Sequence, residues 1–169
     1  PELLHDKKNT VLLFLPQAHS FARAINYICV ASNLHIYIAQ GIKTLTADLQ
    51  VAKPTIMIVV PRVLEKVYNA ASQKAGAGIQ GHIFAQSVKH FVKWSKDEQA
   101  GRGHSFIERM RHSFYMATVG KSIRSALGPN LKWLACGGAP LNVDLAHFFN
   151  GMNDITFIQG YGMTETAAP

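Results

Sequence analysis

Five short apolar runs punctuate the chain, and helical periodicity fills most of the space between them. Val11-Leu12-Leu13-Phe14-Leu15, closed by Pro16, has the continuous apolar profile of a strand buried on both faces. Ile36 to Ala39, ended by Gly41, is a second short strand, and Thr55 to Val60 is a third, again buried. Leu131 to Cys136 is the fourth. Ile155 to Ile158 is the fifth, short and β-branched, and it too reads as buried.

After the first run, Phe21, Ile25, Ile28 and Cys29 fall on one helical face. Thr44 to Ala52 is a brief helix with Thr44 or Thr46 as its N-cap. Pro61 suits the first turn of the next helix, where its missing N–H is not needed; Leu64, Val67, Tyr68 and Ala71 mark its apolar face. Gly76-Ala77-Gly78 ends it. From His82 to about Leu127 the pattern is all helix. Phe84, Val88, Phe91 and Val92 make one stripe, Ile107, Met110, Phe114 and Ala117 another, and Gly101-Arg102-Gly103 separates them. Asn142 can cap a last helix whose face is Leu145, Phe148, Phe149 and Met152. Strands separated by helices predict an α/β fold: a mostly parallel sheet with helices on its faces, and a helical insertion over about 80–128. Residues 1–10 are polar and charged, and Asp6-Lys7-Lys8-Asn9 reads as a loop.

Composition changes this picture little. The 169 residues, 48% hydrophobic and 16% charged, suffice for one domain with a real core and exclude a disordered tail. Cys29 and Cys136 sit in apolar runs and read as small buried hydrophobes, which fits a reducing, cytoplasmic setting. No apolar run approaches the length of a membrane span. The chain opens at Pro1 without a methionine and stops at Ala-Ala-Pro, so a piece of a longer protein is expected.

Charge is more informative. A net charge of +7 admits nucleic acid, an anionic membrane face or a phosphate-rich ligand as partners. No dense basic run with interleaved aromatics is present, which argues against nucleic acid. The helical block holds Lys89, Lys93, Lys96, Arg102, Arg109, Arg111, Lys121 and Arg124 against Asp97, Glu98 and Glu108. That excess describes either a solvated face or a peripheral contact with membrane phosphates or an anionic cofactor.

Candidate chemistry gathers at strand ends. The first strand runs into Pro16-Gln17-Ala18-His19, the fourth into Gly137-Gly138-Ala139-Pro140, and the fifth into Gln159-Gly160-Tyr161-Gly162-Met163-Thr164-Glu165-Thr166. In a parallel sheet all three ends open on one edge, where ligands bind. Glycine admits close backbone approach, an aromatic ring stacks on a base, hydroxyls donate to phosphate, and a carboxylate holds magnesium. The plainer alternative is a glycine-punctuated turn with a buried Tyr161 and a capping threonine. His19 taken alone is a polar turn residue, and Arg62 and Glu65 read as structural.

These blocks, with Phe14 to Arg23 and Val60 to Tyr68, resemble the adenylate-forming (AMP-binding) superfamily, and within it the long-chain fatty acyl-CoA synthetases. The resemblance implies an ATP- and magnesium-dependent ligase that makes acyl-AMP and then, with coenzyme A, acyl-CoA. It implies that Tyr161 stacks on adenine, between Gly160 and Gly162, and that Thr164 bonds the α-phosphate. Glu165 would hold Mg2+. Gly137, Gly138 and Ala139 would run beside the adenine, Gly138 and Gly162 also bordering the acyl substrate, and His19 would lie near the fatty acid carboxylate.

Two positions depart from the family pattern: Ala22 replaces an acidic residue, and Gln17 a usually apolar one. No Ser/Thr/Gly-rich loop ending in Pro-Lys-Gly occurs, and the resemblance places that loop upstream. The ribose-binding aspartate and the C-terminal lysine belong downstream. The chain therefore reads as part of a large N-terminal domain, expected to be inactive alone. Two alternatives stay open: a ligase for another carboxylic acid, and a non-catalytic nucleotide- or acyl-binding module or scaffold.

Overall fold

The computed structural model describes residues 9–41, 44–152 and 154–162. Residues 1–8, the side chain of Thr46, and the Met163-Thr164-Glu165-Thr166 end of the motif lie outside the described residues.

The apolar runs form β1 (Thr10–Leu13), β2 (His35–Ile38), β3 (Ile56–Val59), β4 (Trp133–Cys136) and β5 (Thr156–Gln159). They make one sheet in the order β2-β1-β3-β4-β5, with every pairing parallel. Parallel neighbours need crossover connections. These are supplied by α1 (Ser20–Ala31), α2 (Leu45–Ala52), α3 (Pro61–Ala75), α4 (Ile79–Gln99), α5 (Phe106–Tyr115), α6 (Lys121–Leu127) and α7 (Val143–Asn150). A π-helical turn, Met116–Gly120, joins α5 to α6.

Strand side chains alternate between faces. Val11, Leu13, Ile56 and Ile58 pack with Ile25 and Cys29 of α1 on one side. Leu12, Met57, Val59, Leu134 and Cys136 pack on the other with Leu49, Leu64, Phe91, Ile123 and Phe148. The expected parallel α/β sheet with flanking helices is therefore present, and α4, α5, the π-helical turn and α6 fill residues 79–127, apart from the connection 100–105, where an insertion is expected.

Four local expectations change. In α1 the inward residues are Ala22, Ile25 and Cys29, while Ile28 is exposed. The inward face thus runs i, i+3, i+7 from Ala22, with Phe21 partly buried beside it. Thr44, not Thr46, is the cap of α2, but its side chain makes no cap bond; its hydroxyl proton is within reach of two acceptors, Asp48 Oδ2 (2.9 Å) and the Gly41 carbonyl (3.1 Å). β5 is not a buried strand: among the described residues it is the last strand in the order and is paired on one side, and Ile158 is exposed, while Ile155 just before it is buried. Finally, Ile107, Met110, Phe114 and Ala117 do form a stripe, but it points outwards. The inward face of α5 is carried by His112 and Tyr115, whose rings meet Phe91.

The helical block is held by packing and by ion pairs. Asp97 receives Lys93 (2.7 Å) and Arg102 (2.6 Å), and Lys93 also reaches Glu108 (2.9 Å). A reciprocal capping box between Ser105 and Glu108 starts α5. The Ser105 backbone N–H, then Lys93, hold the Glu108 carboxyl down to about 2.

Candidate functional site

The three strand ends meet as the parallel topology requires. Beyond β1 the chain turns, with the His19 N–H bonded to the Pro16 carbonyl (3.0 Å), and His19 becomes the exposed N-cap residue of α1. Gln17, unusual for the resemblance, has a local structural job. Its carbonyl accepts from Arg23 Nε (3.4 Å) and its side-chain oxygen from Asn26 Nδ2 (3.2 Å), tying the turn to α1.

Beyond β4, the Gly137 N–H still bonds to the Val59 carbonyl (3.1 Å), and the Gly160 N–H bonds to the Cys136 carbonyl (2.8 Å). The ladder thus carries the two glycine motifs side by side. A side chain at Gly137 would place its Cβ 3.2 Å from the Gly160 carbonyl oxygen and 3.3 Å from the Phe21 ring. β5 and α1 thus close tightly on Gly137, and a larger residue would need Phe21 or Gly160 to give way by a few tenths of an ångström. Gly138 has φ +82°, the left-handed region that favours glycine, and it turns the chain outwards so that Ala139 and Pro140 are exposed.

Tyr161 follows at the end of β5 and is 83% exposed. Among the described residues Tyr161 is therefore exposed, not buried as the plainer alternative has it, and no described strand lies beyond β5. An exposed ring beside a glycine-walled edge is suited to stacking on a planar ligand. His19, Gly137, Gly138, Ala139, Gly160, Tyr161 and Gly162 all follow the carboxyl ends of parallel strands, on the same edge of the sheet. Thr164 and Glu165 lie outside the described residues, and among those described no cluster of three or more His, Cys, Asp or Glu side chains could hold a metal.

A family model described as AMP-binding enzyme matches residues 2–169. The chain belongs to this family. A long-chain-fatty-acid–CoA ligase of Mycobacterium bovis, FadD15, is 40% identical over 167 residues, covering 99% of this chain and 27% of that protein. Long chain acyl-CoA synthetase 3 of Arabidopsis thaliana is 31% identical over 166 residues, covering 94% of this chain and 23% of its own length. The chain thus spans about a quarter of the length of these relatives. The adenylation domain of a carboxylate reductase from Mycobacterium chelonae shares the fold, with a TM-score of 0.62 at 17% identity, over 96% of this chain and 23% of that one.

Both cysteines and several charged side chains of the chain have structural roles. Both cysteines are buried, and burial pushes the Cys136 thiol up to about 11 and raises that of Cys29, the surroundings of structural cysteines. Asp144 pairs with Lys96 (2.9 Å) and Asp154 with Arg124. Arg62 and Glu65 are exposed on α3. Phe21 is the site residue that sequence reasoning missed. Periodicity puts it in the core stripe of α1, and only the tight contact at Gly137 reveals that its ring walls the edge.

A second cluster also escapes the sequence: Trp94 is stacked between His104 (3.4 Å) and His112 (4.1 Å), with His90 beside His112 (5.5 Å). Burial lowers the His90 imidazole to about 4, helped by His112, Arg111 and Lys93 and opposed by Glu108. Burial likewise lowers His112. A folded-state imidazole below its unfolded value contributes stability above about pH 6.5, lost as pH falls. The thermal midpoint should therefore drop between pH 6.5 and about 4, before most carboxylates titrate. His90→Phe should flatten that slope in a calorimetric pH series; a midpoint constant across the window in the parent protein would refute the reading.

Proposed function

We propose that this chain is part of the large N-terminal domain of a long-chain fatty acid–CoA ligase. The observation that carries the proposal is the meeting of Gly137 with the Gly160 carbonyl and the Phe21 ring, next to an exposed Tyr161. The similarity to long-chain acyl-CoA ligases supports the substrate class.

In this reading the chain's own residues bind and orient. Tyr161 stacks on the adenine of ATP, and the backbone of Gly137, Gly138 and Ala139 lies along the base, with Gly160 and Gly162 leaving room for it. Gly138 and Gly162 border the acyl chain, and His19 stands near the carboxylate. Thr164 donates to the α-phosphate. Glu165 is the residue that would hold Mg2+, which neutralises charge on the leaving pyrophosphate.

A carboxylate oxygen of the fatty acid attacks the α-phosphorus of ATP, the bond to the β-phosphate oxygen breaks, and pyrophosphate leaves. The thiol of coenzyme A then loses its proton to solvent as its sulfur attacks the acyl carbon, the acyl–phosphate C–O bond breaks and AMP departs with the bonding electrons. The chain lacks a Pro-Lys-Gly phosphate loop, so by itself it should make no acyl-CoA above a no-enzyme control.

The test uses the full-length protein with ATP, coenzyme A and a panel of fatty, aryl and amino acids. Long-chain acyl-CoA is the expected product. Preference for another acid would overturn the substrate class, and ATP binding without any thioester would overturn the ligase reading. Tyr161→Ala should weaken ATP binding by about 1–3 kcal/mol, the worth of a base–aromatic stack. Unchanged affinity would show that the ring does not stack.

A further inference from the structure

The cleft between α4 and α5 has the layout of an anion site. It encloses about 260 Å³, and every side chain lining it is polar or aromatic. His90 and His104 both line it, and the Nε2 atom of each is buried with no hydrogen-bond partner among the described residues. The His104 side chain is only 9% exposed, and the Glu98 carboxylate, 4.0 Å from its Nε2, is beyond hydrogen-bond reach. Buried polar atoms in folded proteins are nearly always satisfied, so two orphaned imidazoles at one cleft point to a ligand that accepts from them.

Charge gives the sign of that ligand. Both carboxylates of the cleft are neutralised within the protein: Asp97 by Lys93 (2.7 Å) and Arg102 (2.6 Å), and Glu108 by Lys93 (2.9 Å). Lys89 of α4 and Arg111 of α5 also line the cleft. Neither has a carboxylate within ion-pair distance among the described residues. Two helices thus each bring an unpaired cation to the same space. A guanidinium, an ammonium and two imidazole N–H groups offer more donors than the two oxygens of a carboxylate take up, whereas a phosphate presents three or four.

Size and lining narrow the class further. Pockets for drug-sized ligands start at about 300 Å³, so this cleft suits a small anion. The Trp94 ring is already stacked on His104 and His112 and is not free to take a base. A lining without aliphatic side chains does not suit an acyl chain.

We propose that the α4–α5 cleft binds a small soluble phosphate, inorganic phosphate or a phosphate monoester, through Lys89, Arg111 and the imidazoles of His90 and His104. None of the residues at the strand ends lines this cleft, so the proposal stands or falls apart from the ligase reading.

The test is hydrogen exchange of the full-length protein, read by mass spectrometry on peptides within residues 86–115. Potassium phosphate is titrated in, with potassium chloride at matched ionic strength as the control. A bound anion stabilises the helices that hold it, so phosphate should slow exchange there saturably and chloride should not. Lys89→Gln, Arg111→Gln and His90→Phe should each raise the half-saturating phosphate concentration about tenfold, the loss of one hydrogen bond to a charged group. Lys89 and Arg111 are exposed, so their variants should keep the parent's melting point in the absence of phosphate. Any protection of the strand-end peptides by phosphate should be the same in these variants as in the parent, which separates this cleft from the nucleotide site. No saturable slowing, or equal slowing by chloride, would overturn the proposal. So would Lys89→Gln and Arg111→Gln variants that saturate like the parent, or slowing by anionic lipid vesicles but not by soluble phosphate.

Discussion

Gly151→Ala is expected to destabilise the full-length protein by about 3 kcal/mol or more. A Cβ at Gly151 would lie 2.0 Å from the Phe91 carbonyl oxygen and 2.7 Å from its carbonyl carbon. Both are backbone atoms in the middle of α4, so no side-chain rotation can relieve the overlap. The backbone of Gly151 itself is ordinary right-handed helix, φ −72°, and the demand for glycine is therefore purely steric.

The overlap strikes where α4 and α7 are joined by specific contacts. Asn150 Nδ2 donates to Ser95 Oγ (2.8 Å), Ser95 Oγ lies 3.0 Å from His147 Nδ1, and the Phe91 and Phe148 rings meet at 5.8 Å. Prising the helices apart would loosen all three together. Domains are stable by only about 5–15 kcal/mol, so the loss should be plain in a denaturant melt. Gly103→Ala is the control: a methyl group there would meet nothing within 4 Å, and the change should be within about 0.5 kcal/mol. Equal midpoints for Gly151→Ala and the parent would mean that α7 sits further from α4 than these contacts allow.

Gly151 also illustrates what a sequence hides. Its neighbours Phe148, Phe149 and Met152 are legible as a helix face, yet nothing in the spacing says that another helix's backbone lies against the residue between them. The strands are legible because continuous apolar runs such as Val11–Leu13 and Ile56–Val59 are buried by layers on both faces. β5 misleads for the converse reason: its apolar residues satisfy a pattern, but exposure depends on whether another strand follows it in space. Periodicity likewise locates the α5 stripe correctly and cannot say which way it faces, because the amphipathic count is indifferent to rings such as His112 and Tyr115 packing inwards. At the site, the glycine motifs and Tyr161 are legible as motifs. The contact that joins them, Phe21 against Gly137, is a property of the closed fold alone.

Glu165→Gln in the full-length protein should lower the rate of acyl-adenylate formation, read by ATP–pyrophosphate exchange, by about two to three orders of magnitude. On the proposed reading of Glu165 as a metal ligand, the glutamine keeps the size of the side chain and removes its charge, so the change isolates what the carboxylate would contribute to holding the metal, a matter of several kcal/mol. Thr164→Val is the useful comparison. Loss of one hydrogen bond to a charged phosphate is worth about 1.5–3 kcal/mol, which lowers the rate by one to two orders without changing the metal requirement. The two residues, one apart in the chain, are therefore distinguished by magnesium dependence rather than by rate. Equilibrium dialysis of ATP against the protein at a series of magnesium concentrations should give a midpoint raised by Glu165→Gln and unmoved by Thr164→Val. If both variants kept the parent midpoint, the metal would be held elsewhere, and the strand-end motif would serve the nucleotide alone.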